Sequence, residues 1–164
     1  MKLSTRAIYG LRALIDLGLH SETEAVSIQS IATRQSISVS YLEQLMALLK
    51  KAGIVVSSRG ASGGYRLGRP ATEISVGDIL RVLEGGLEAV KCGGETRDNA
   101  CQNPQEKNGC QGADVCVARF VWKRINDSIT DAVDTMMLSD LIEESREAHS
   151  RCGKESNNQE VNHE

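Results

Sequence analysis

Apolar residues recur every three or four positions in three stretches near the N-terminus, which is the spacing of one helix face. The first stretch, "STRAIYGLRALIDLGLH", offers Ser4 and Thr5 as N-caps and is predicted to end near His20. The second, "SIQSIATRQ", opens at Ser27, and the third, "SYLEQLMALLKKAG", stops at Gly53. The predicted core stripe of the third helix is Leu42, Leu45, Met46 and Leu49.

A β-hairpin and further helices are predicted downstream. "IVVSS" and "YRL" read as short strands on either side of the glycine-rich turn "RGASGG". Ser75 and Asp78 have capping-box spacing at the start of "VGDILRVLEGG". A long helix is predicted from about Val115–Cys116, and a shorter one, "SDLIEES", is expected after it. Apolar residues of the long helix form a seam of about two heptads: Trp122, Ile125, Ile129, Ala132 and Met136.

This order of elements is that of a winged helix-turn-helix, so we predict a mostly α protein with a small β-hairpin wing and a long C-terminal dimerisation helix. The predicted segments are a winged helix-turn-helix DNA-binding domain at 1–85, a cysteine-rich loop at 86–116, a dimerisation helix region at 117–146 and a disordered polar tail at 147–164. The seam is expected to pack on a partner subunit; packing on the chain's own first domain is the alternative.

The charge distribution favours a polyanionic partner. The chain of 164 residues has a net charge of -3, yet residues 1–70 carry nine Lys/Arg and four Asp/Glu. A basic N-terminal part on an acidic protein suggests a local face for a polyanion, although a chance excess on a solvated surface would look the same.

The sequence also narrows the compartment and the class of function. No apolar run approaches the roughly 20 residues of a membrane span, and "MKLSTRAIYG" lacks a signal-peptide core, so we expect a cytoplasmic protein with no membrane partner. Cytoplasmic thiols stay reduced, which favours a metal or redox site over disulfides for the five cysteines. Because no nucleophile–base pair, phosphate loop or dinucleotide fingerprint is present, we expect no enzyme.

The third helix is the candidate recognition helix, entering the major groove of double-stranded promoter DNA by its N-terminal residues. Gln can pair with adenine, Glu can accept from cytosine, and Ser and Tyr can reach phosphates or bases. Ser40 and Glu43 also have capping-box spacing, so both are expected to cap the helix as well. On the wing, an Arg is suited to a minor groove, or is simply solvated. The predicted DNA-binding residues are Ser40, Tyr41, Glu43, Gln44 and Arg59.

Three segments, "MKLSTRAIYGLRALIDL", "SVSYLEQLMALLKKAGIV" and "SSRGASGGYRL", resemble the Rrf2 family of bacterial transcription regulators over roughly residues 1–142. The resemblance implies a homodimer in which the recognition helix and the wing meet the DNA. Within the family, "VKC", "GCQGADVC" and the following Trp122 look most like members that carry an iron–sulfur cluster. For such a member we expect control of cluster biogenesis or related genes, with iron–sulfur assembly proteins as further partners.

Four cysteines, separated by eight, eight and five residues, are the predicted metal ligands: Cys92, Cys101, Cys110 and Cys116. Four thiolates suit zinc or an iron–sulfur cluster, but structural zinc favours tight pairs, which are lacking here. A 2Fe–2S cluster is the expected cofactor, with 4Fe–4S as second choice and zinc as the alternative. A thiol–disulfide switch, or control by a partner protein, would explain a family member without a cluster.

The cluster-carrying members have three cysteines and a histidine three residues after the last one. Arg119 stands at the histidine position here, and Arg cannot ligate a metal. We therefore infer that Cys101, in a longer intervening loop, is the fourth ligand. Its rivals are Asp114, His149, Cys152 or a residue of the partner subunit.

Overall fold

Six helices, a short 3-10 turn and one two-stranded hairpin make up the part of the chain that the structure describes. The structure, a computed structural model, describes residues 3–21, 24–60, 63–88 and 118–157, without the side chains of residues 119 and 152–157. The elements are α1 (Thr5–His20), α2 (Ile28–Gln35), α3 (Val39–Lys51), β1 (Val55–Ser58), β2 (Gly64–Leu67), the 3-10 turn (Ala71–Glu73), α4 (Val76–Glu84), α5 (Ala118–Thr135) and α6 (Leu138–Asn157).

Hydroxyl side chains begin the first four helices. Ser4 accepts from the backbone N–H of Arg6, and Ser27 accepts from that of Ser30. Ser75 and Asp78 form the predicted capping box, in which each side chain accepts from the other residue's backbone N–H. These caps confirm the predicted starts of α1, α2 and α4.

The predicted cap of α3 is wrong. Ser38, rather than Ser40, is the N-cap: its backbone is extended and its side chain accepts from the N–H of Tyr41 at 3.3 Å. Helical geometry begins at Val39, so Ser40 and Glu43 already lie inside the helix. Ser38, two residues earlier, has the extended backbone that a cap needs. The Ser40 side chain therefore lies in the first turn of the helix.

The main core joins α1, α2, α3, α4, the wing and α6. Leu42, Leu45 and Leu49 are buried there, as the stripe of the third helix predicts, and Leu14 and Leu17 of α1 pack in the same core. Leu138 and Ile142 of α6 belong to the same core. At Gly18 of α1 a side chain would collide with the end of Ile142, so α6 lies directly against α1. The core of the first helices therefore also includes residues far beyond position 85.

The wing is the predicted antiparallel hairpin. Val55 pairs with Leu67 and Ser58 pairs with Gly64 across the two strands. Val26, before α2, forms a bridge with Tyr65 and anchors the hairpin to the helical body. A side chain at Gly64 would meet the backbone of Val26, so the close approach requires glycine at this position.

The last helix, α6, is longer than predicted, whereas the length of α5 stays a prediction. The predicted start at Val115–Cys116 lies outside the described residues, and α5 is described from Ala118. The disordered tail predicted from residue 147 is wrong for 147–157, because α6 continues as a helix to Asn157. Charged pairs one turn apart, such as Arg151 with Glu147 at 3.1 Å, support this helix in a segment with little apolar content. No helix in the described ranges is long and apolar enough to cross a membrane.

Candidate nucleic-acid interface

The N-terminal half of α3 presents polar side chains to solvent. Ser40, Glu43 and Gln44 are exposed, and Tyr41 is partly buried. The intervening Leu42 and Leu45 are buried in the core and fix the rotation of the helix. The structure thus brings the four predicted helix residues together on one outward-facing end, with hydrogen-bonding groups available to a groove.

Tyr41 is held by α1. Its hydroxyl lies 3.3 Å from the Thr5 hydroxyl, which is long for a hydroxyl pair. Its ring meets the Tyr9 ring edge-on, with centroids 6.2 Å apart and planes at 89°. The guanidinium of Arg12 lies 5.6 Å from the centroid of the Tyr9 ring. The N-terminal end of α3, which we call its reading end, is therefore positioned by side chains of α1.

A buried carboxylate, which the sequence did not lead us to expect, fixes α2 against α1. Asp16 is 3% exposed and accepts from Nε and Nη2 of Arg34 at 2.8 and 2.7 Å. It also accepts from Nε2 of Gln35 at 3.2 Å, while Oε1 of Gln35 accepts from Arg12. The hydrogen bond with Asp16 raises the pKa of Arg34 above its ordinary value. The available signal was an Asp within the inward stripe "ALIDLGL".

The wing is tied to the end of the recognition helix. Lys50 donates to the Ser57 hydroxyl at 2.5 Å, which joins the C-terminal turn of α3 to β1. Arg59 follows directly after β1 and is exposed. Residues 61 and 62 at the hairpin tip lie outside the described residues. The predicted wing arginine and the recognition helix thus sit on one connected unit.

The other basic residues near the wing are in different situations. Lys51 is exposed on α3. Arg69 donates to the Asp78 carboxylate at 2.8 Å, so it ties the base of the wing to α4. The guanidinium of Arg69 is therefore engaged within the protein.

The four cysteines predicted as metal ligands, Cys92, Cys101, Cys110 and Cys116, lie outside the described residues. The described ranges contain no group of three His, Cys, Asp or Glu that could hold a metal ion. The chain enters the cysteine-rich stretch after α4 and Leu87, and it leaves that stretch at Ala118, where α5 is first described.

The two helices that flank the cysteine-rich stretch are joined to each other. Nη1 and Nη2 of Arg81 in α4 each donate to the Asp134 carboxylate in α5 at 2.7 Å. This fork lowers the pKa of Asp134 and raises that of Arg81. A side chain at Gly77 would collide with Asp134, so α4 and α5 pack closely at this point.

A helix-turn-helix with a β-hairpin wing, polar at the exposed start of its third helix, defines a winged-helix DNA-binding protein. The model of the Rrf2 family, described as iron-dependent transcriptional regulators, matches residues 3–144, and the chain belongs to that family. The protein is therefore a DNA-binding transcription regulator, and its family is not one of enzymes.

Relatives of known name agree with this assignment. The transcriptional regulator IscR of Pectobacterium carotovorum is 37% identical over 142 residues, covering 87% of this chain and 79% of the relative. A solved structure of IscR from T. potens superposes with a TM-score of 0.69 at 40% identity and covers 90% of each chain. CymR, the global cysteine regulator of B. subtilis, superposes at 0.67 with 36% identity, over 87% of this chain and 97% of that one.

Proposed function

We propose that this protein is an iron–sulfur cluster-sensing regulator that binds promoter DNA as a homodimer and controls genes of cluster biogenesis or related genes. The observation that carries the proposal is the combination of a winged-helix unit with four cysteines between α4 and α5. The similarity to proteins named IscR supports the same reading. Iron–sulfur assembly proteins are the further partners we expect.

The proposed DNA contacts are Ser40, Tyr41, Glu43 and Gln44 at the start of α3 and Arg59 on the wing. Two features support these contacts: most of the side chains are exposed, and the elements that carry them are fixed by the core. Gln44 and Glu43 point out of a helix whose other face is locked in the core. An amide can read adenine and a carboxylate can accept from cytosine N4, so these two would read sequence. Arg59 would add a groove contact that neighbouring base pairs modulate through groove width.

The proposed dimer uses the seam of α5. In the isolated chain the seam residues Ile125 and Met136 are 37 and 43% exposed, and the neighbouring Phe120 and Val121 are 75 and 53% exposed. The seam residues Trp122 and Ile129 are half-buried, and Val133 near the far end of α5 packs on a small cluster around Leu80. Apolar side chains exposed along most of a helix indicate a surface that is covered by a partner. A second copy of the chain would place two winged-helix units on one stretch of DNA.

The proposed cluster ligands are Cys92, Cys101, Cys110 and Cys116. Their donor set fits the group, because four thiolates are the common ligation of 2Fe–2S and 4Fe–4S clusters. Bound there, a 2Fe–2S cluster would supply a redox-active, iron-dependent group whose presence reports the supply of iron and sulfide. Cys101 takes the fourth place in this proposal because Arg119 stands where the resemblance would put a histidine. Zinc at the same thiols is the alternative.

Anaerobic purification followed by an absorption spectrum and counts of iron and acid-labile sulfide tests the cluster. We expect a coloured protein with about two iron and two sulfide per chain, as a 2Fe–2S cluster requires. Cys101→Ser is expected to lower both counts, whereas the matched change Cys152→Ser leaves them unchanged. A colourless protein that carries stoichiometric zinc, even after reconstitution, would replace the cluster by a zinc or thiol-switched site.

Titration of labelled promoter fragments with variants tests the DNA interface. Gln44→Ala is expected to weaken binding to the preferred site by about 1–3 kcal/mol and to relax base choice at one position. Arg59→Ala is expected to weaken binding, and Arg151→Ala on distant α6 serves as its matched control. Unchanged affinity for both Gln44→Ala and Arg59→Ala would move the DNA interface elsewhere.

A further inference from the structure

Glu84, the last residue of α4, is hydrogen-bonded to Ser4, the N-cap of α1. Oε1 of Glu84 accepts from the backbone N–H of Ser4 at 2.9 Å and from its hydroxyl at 2.5 Å. Ser4 is the N-cap of α1, and its side-chain oxygen accepts from the N–H of Arg6. These bonds, made by residues 80 positions apart, hold the pKa of Glu84 below its ordinary value, with the hydroxyl of Ser4 as the largest cause.

The next residue of α1 reaches the recognition helix. Thr5 directly follows Ser4, and its hydroxyl lies 3.3 Å from the hydroxyl of Tyr41. One turn further along α1, the Tyr9 ring meets the Tyr41 ring. The start of α1 therefore lies between the end of α4 on one side and the reading end of α3 on the other.

The contact between α1 and α4 has little room to absorb a shift. A side chain at Gly10 would overlap Leu83, the neighbour of Glu84, so the two helices approach through a glycine. Gly85, which follows Glu84, takes a left-handed backbone and ends α4. A displacement of this end of α4 would pass to the first turn of α1 because interiors are close-packed.

We propose that Glu84 is a positioning residue for DNA recognition, which fixes the Tyr41 end of the recognition helix through Ser4 and Thr5. The inference rests on the proposed DNA interface, since it gives Tyr41 a place there. In this proposal Glu84 affects DNA binding without touching DNA. A movement of the end of α4 would change the position of the recognition helix α3. A carboxylate suits this role because a charged acceptor holds the α1 terminus more strongly than a neutral one.

Operator affinity of the full chain tests this chain of contacts. Glu84→Ala is expected to weaken binding about 3- to 10-fold, the equivalent of one or two lost hydrogen bonds. Glu84→Gln, which keeps an accepting oxygen, is expected to restore most of the affinity. Glu88→Ala, an exposed glutamate four residues on, is the matched control and leaves affinity unchanged. All titrations are made at a temperature at which urea unfolding shows every variant to be folded.

A double variant separates positioning from general weakening. Thr5→Val cuts the same route at its other end, so Glu84→Ala with Thr5→Val is expected to bind no more weakly than the weaker single variant. The amide resonance of Tyr41 is expected to move in Glu84→Ala and to stay in Glu88→Ala. Additive losses, or a Tyr41 resonance that stays in place, would overturn the proposal.

Tyr41→Ala distinguishes the two proposals. If Tyr41→Ala weakens operator binding while Glu84→Ala does not, Glu84 is no positioning residue and the DNA interface stands. If Tyr41→Ala leaves affinity unchanged, Tyr41 has no place in the DNA interface and the role of Glu84 is overturned with it.

Discussion

Helices α5 and α6 are neighbours in the sequence, yet one is built into the DNA-binding domain and the other lies largely outside it. Leu138 of α6 is fully buried and Ile142 nearly so, against α1. Along α5 the side chains of Phe120, Val121 and Ile125 are exposed. Both helices have apolar residues at helical spacing, and the spacing alone does not distinguish these two situations.

The difference lies in how each helix is attached. The start of α6 is joined to the domain by backbone bonds, in which Leu138 donates to Ile74 and Val76 donates to Met136. The far end of α5 is fixed by Val133 and by the ion pair between Arg81 and Asp134. The start of α6 therefore belongs to the same core as α1 and the wing, while α5 presents an exposed seam, which the proposed dimer would cover.

The largest effect is expected from the buried start of α6. Leu138→Ala should lower the free energy of unfolding by about 2–5 kcal/mol, because a fully buried leucine leaves a cavity. Urea unfolding of the full chain measures this, and Phe120→Ala on α5 is the control of similar chemistry. Equal, small losses for both would mean that α6 is no more part of the core than α5.

The ion pair between Asp16 and Arg34 should contribute more to the free energy of unfolding than the pair between Asp134 and Arg81, which attaches α5. Asp16→Ala leaves Arg34 without its buried partner and is expected to cost on the order of 2 kcal/mol of stability. Asp134→Ala breaks a half-exposed pair with Arg81 and is expected to cost less. Parallel unfolding curves measure both, and the reverse order would contradict the distinction between the two regions.

A charge in the exposed seam should separate the subunits of the proposed dimer with little effect on the fold. Ile125→Asp is expected to weaken self-association at least about tenfold, since an unpaired carboxylate is costly at an apolar interface. Sedimentation measures the mass, and Glu144→Asp on α6 is the control. A variant that stays dimeric would assign the interface to another surface.

Low pH should modestly weaken two contacts: the Asp134–Arg81 pair that attaches α5, and the Glu84–Ser4 bonds between α4 and α1. Asp134 and Glu84 have lowered pKa values in the fold, so they stabilise it fully above their ordinary pKa near 4 and lose that contribution as the pH falls. The stability gap between wild type and Asp134→Asn should therefore shrink below about pH 4. A gap that is constant from pH 7 to pH 3 would contradict this.

Much of the fold follows from local patterns in the sequence. The stripe of α3, the caps at Ser4, Ser27 and Ser75, and the glycine-rich hairpin all depend on neighbours within a few residues. The cap of α3 was misplaced because Ser38 and Ser40 offer the same hydroxyl chemistry two residues apart. Only the backbone geometry at Ser38 decides between them.

Long-range contacts were less predictable. The hydrogen bonds of Asp16 with Arg34 and of Glu84 with Ser4 join residues 18 and 80 positions apart, and no local spacing predicts them. The burial of Leu138 likewise depends on the chain returning to α1 after α5. The exposed reading face was easier to predict, because polar residues at a helix start follow from the helix stripe itself.

If the proposed cluster forms at the four cysteines, its presence is expected to govern which DNA the protein binds. The most direct measurement is selection of genomic fragments by the same preparation with its cluster and after its removal, side by side at one salt concentration. We expect two different sets of sites, with Cys101→Ser selecting the set of the cluster-free protein. Identical sites bound with equal affinity in both states would contradict it.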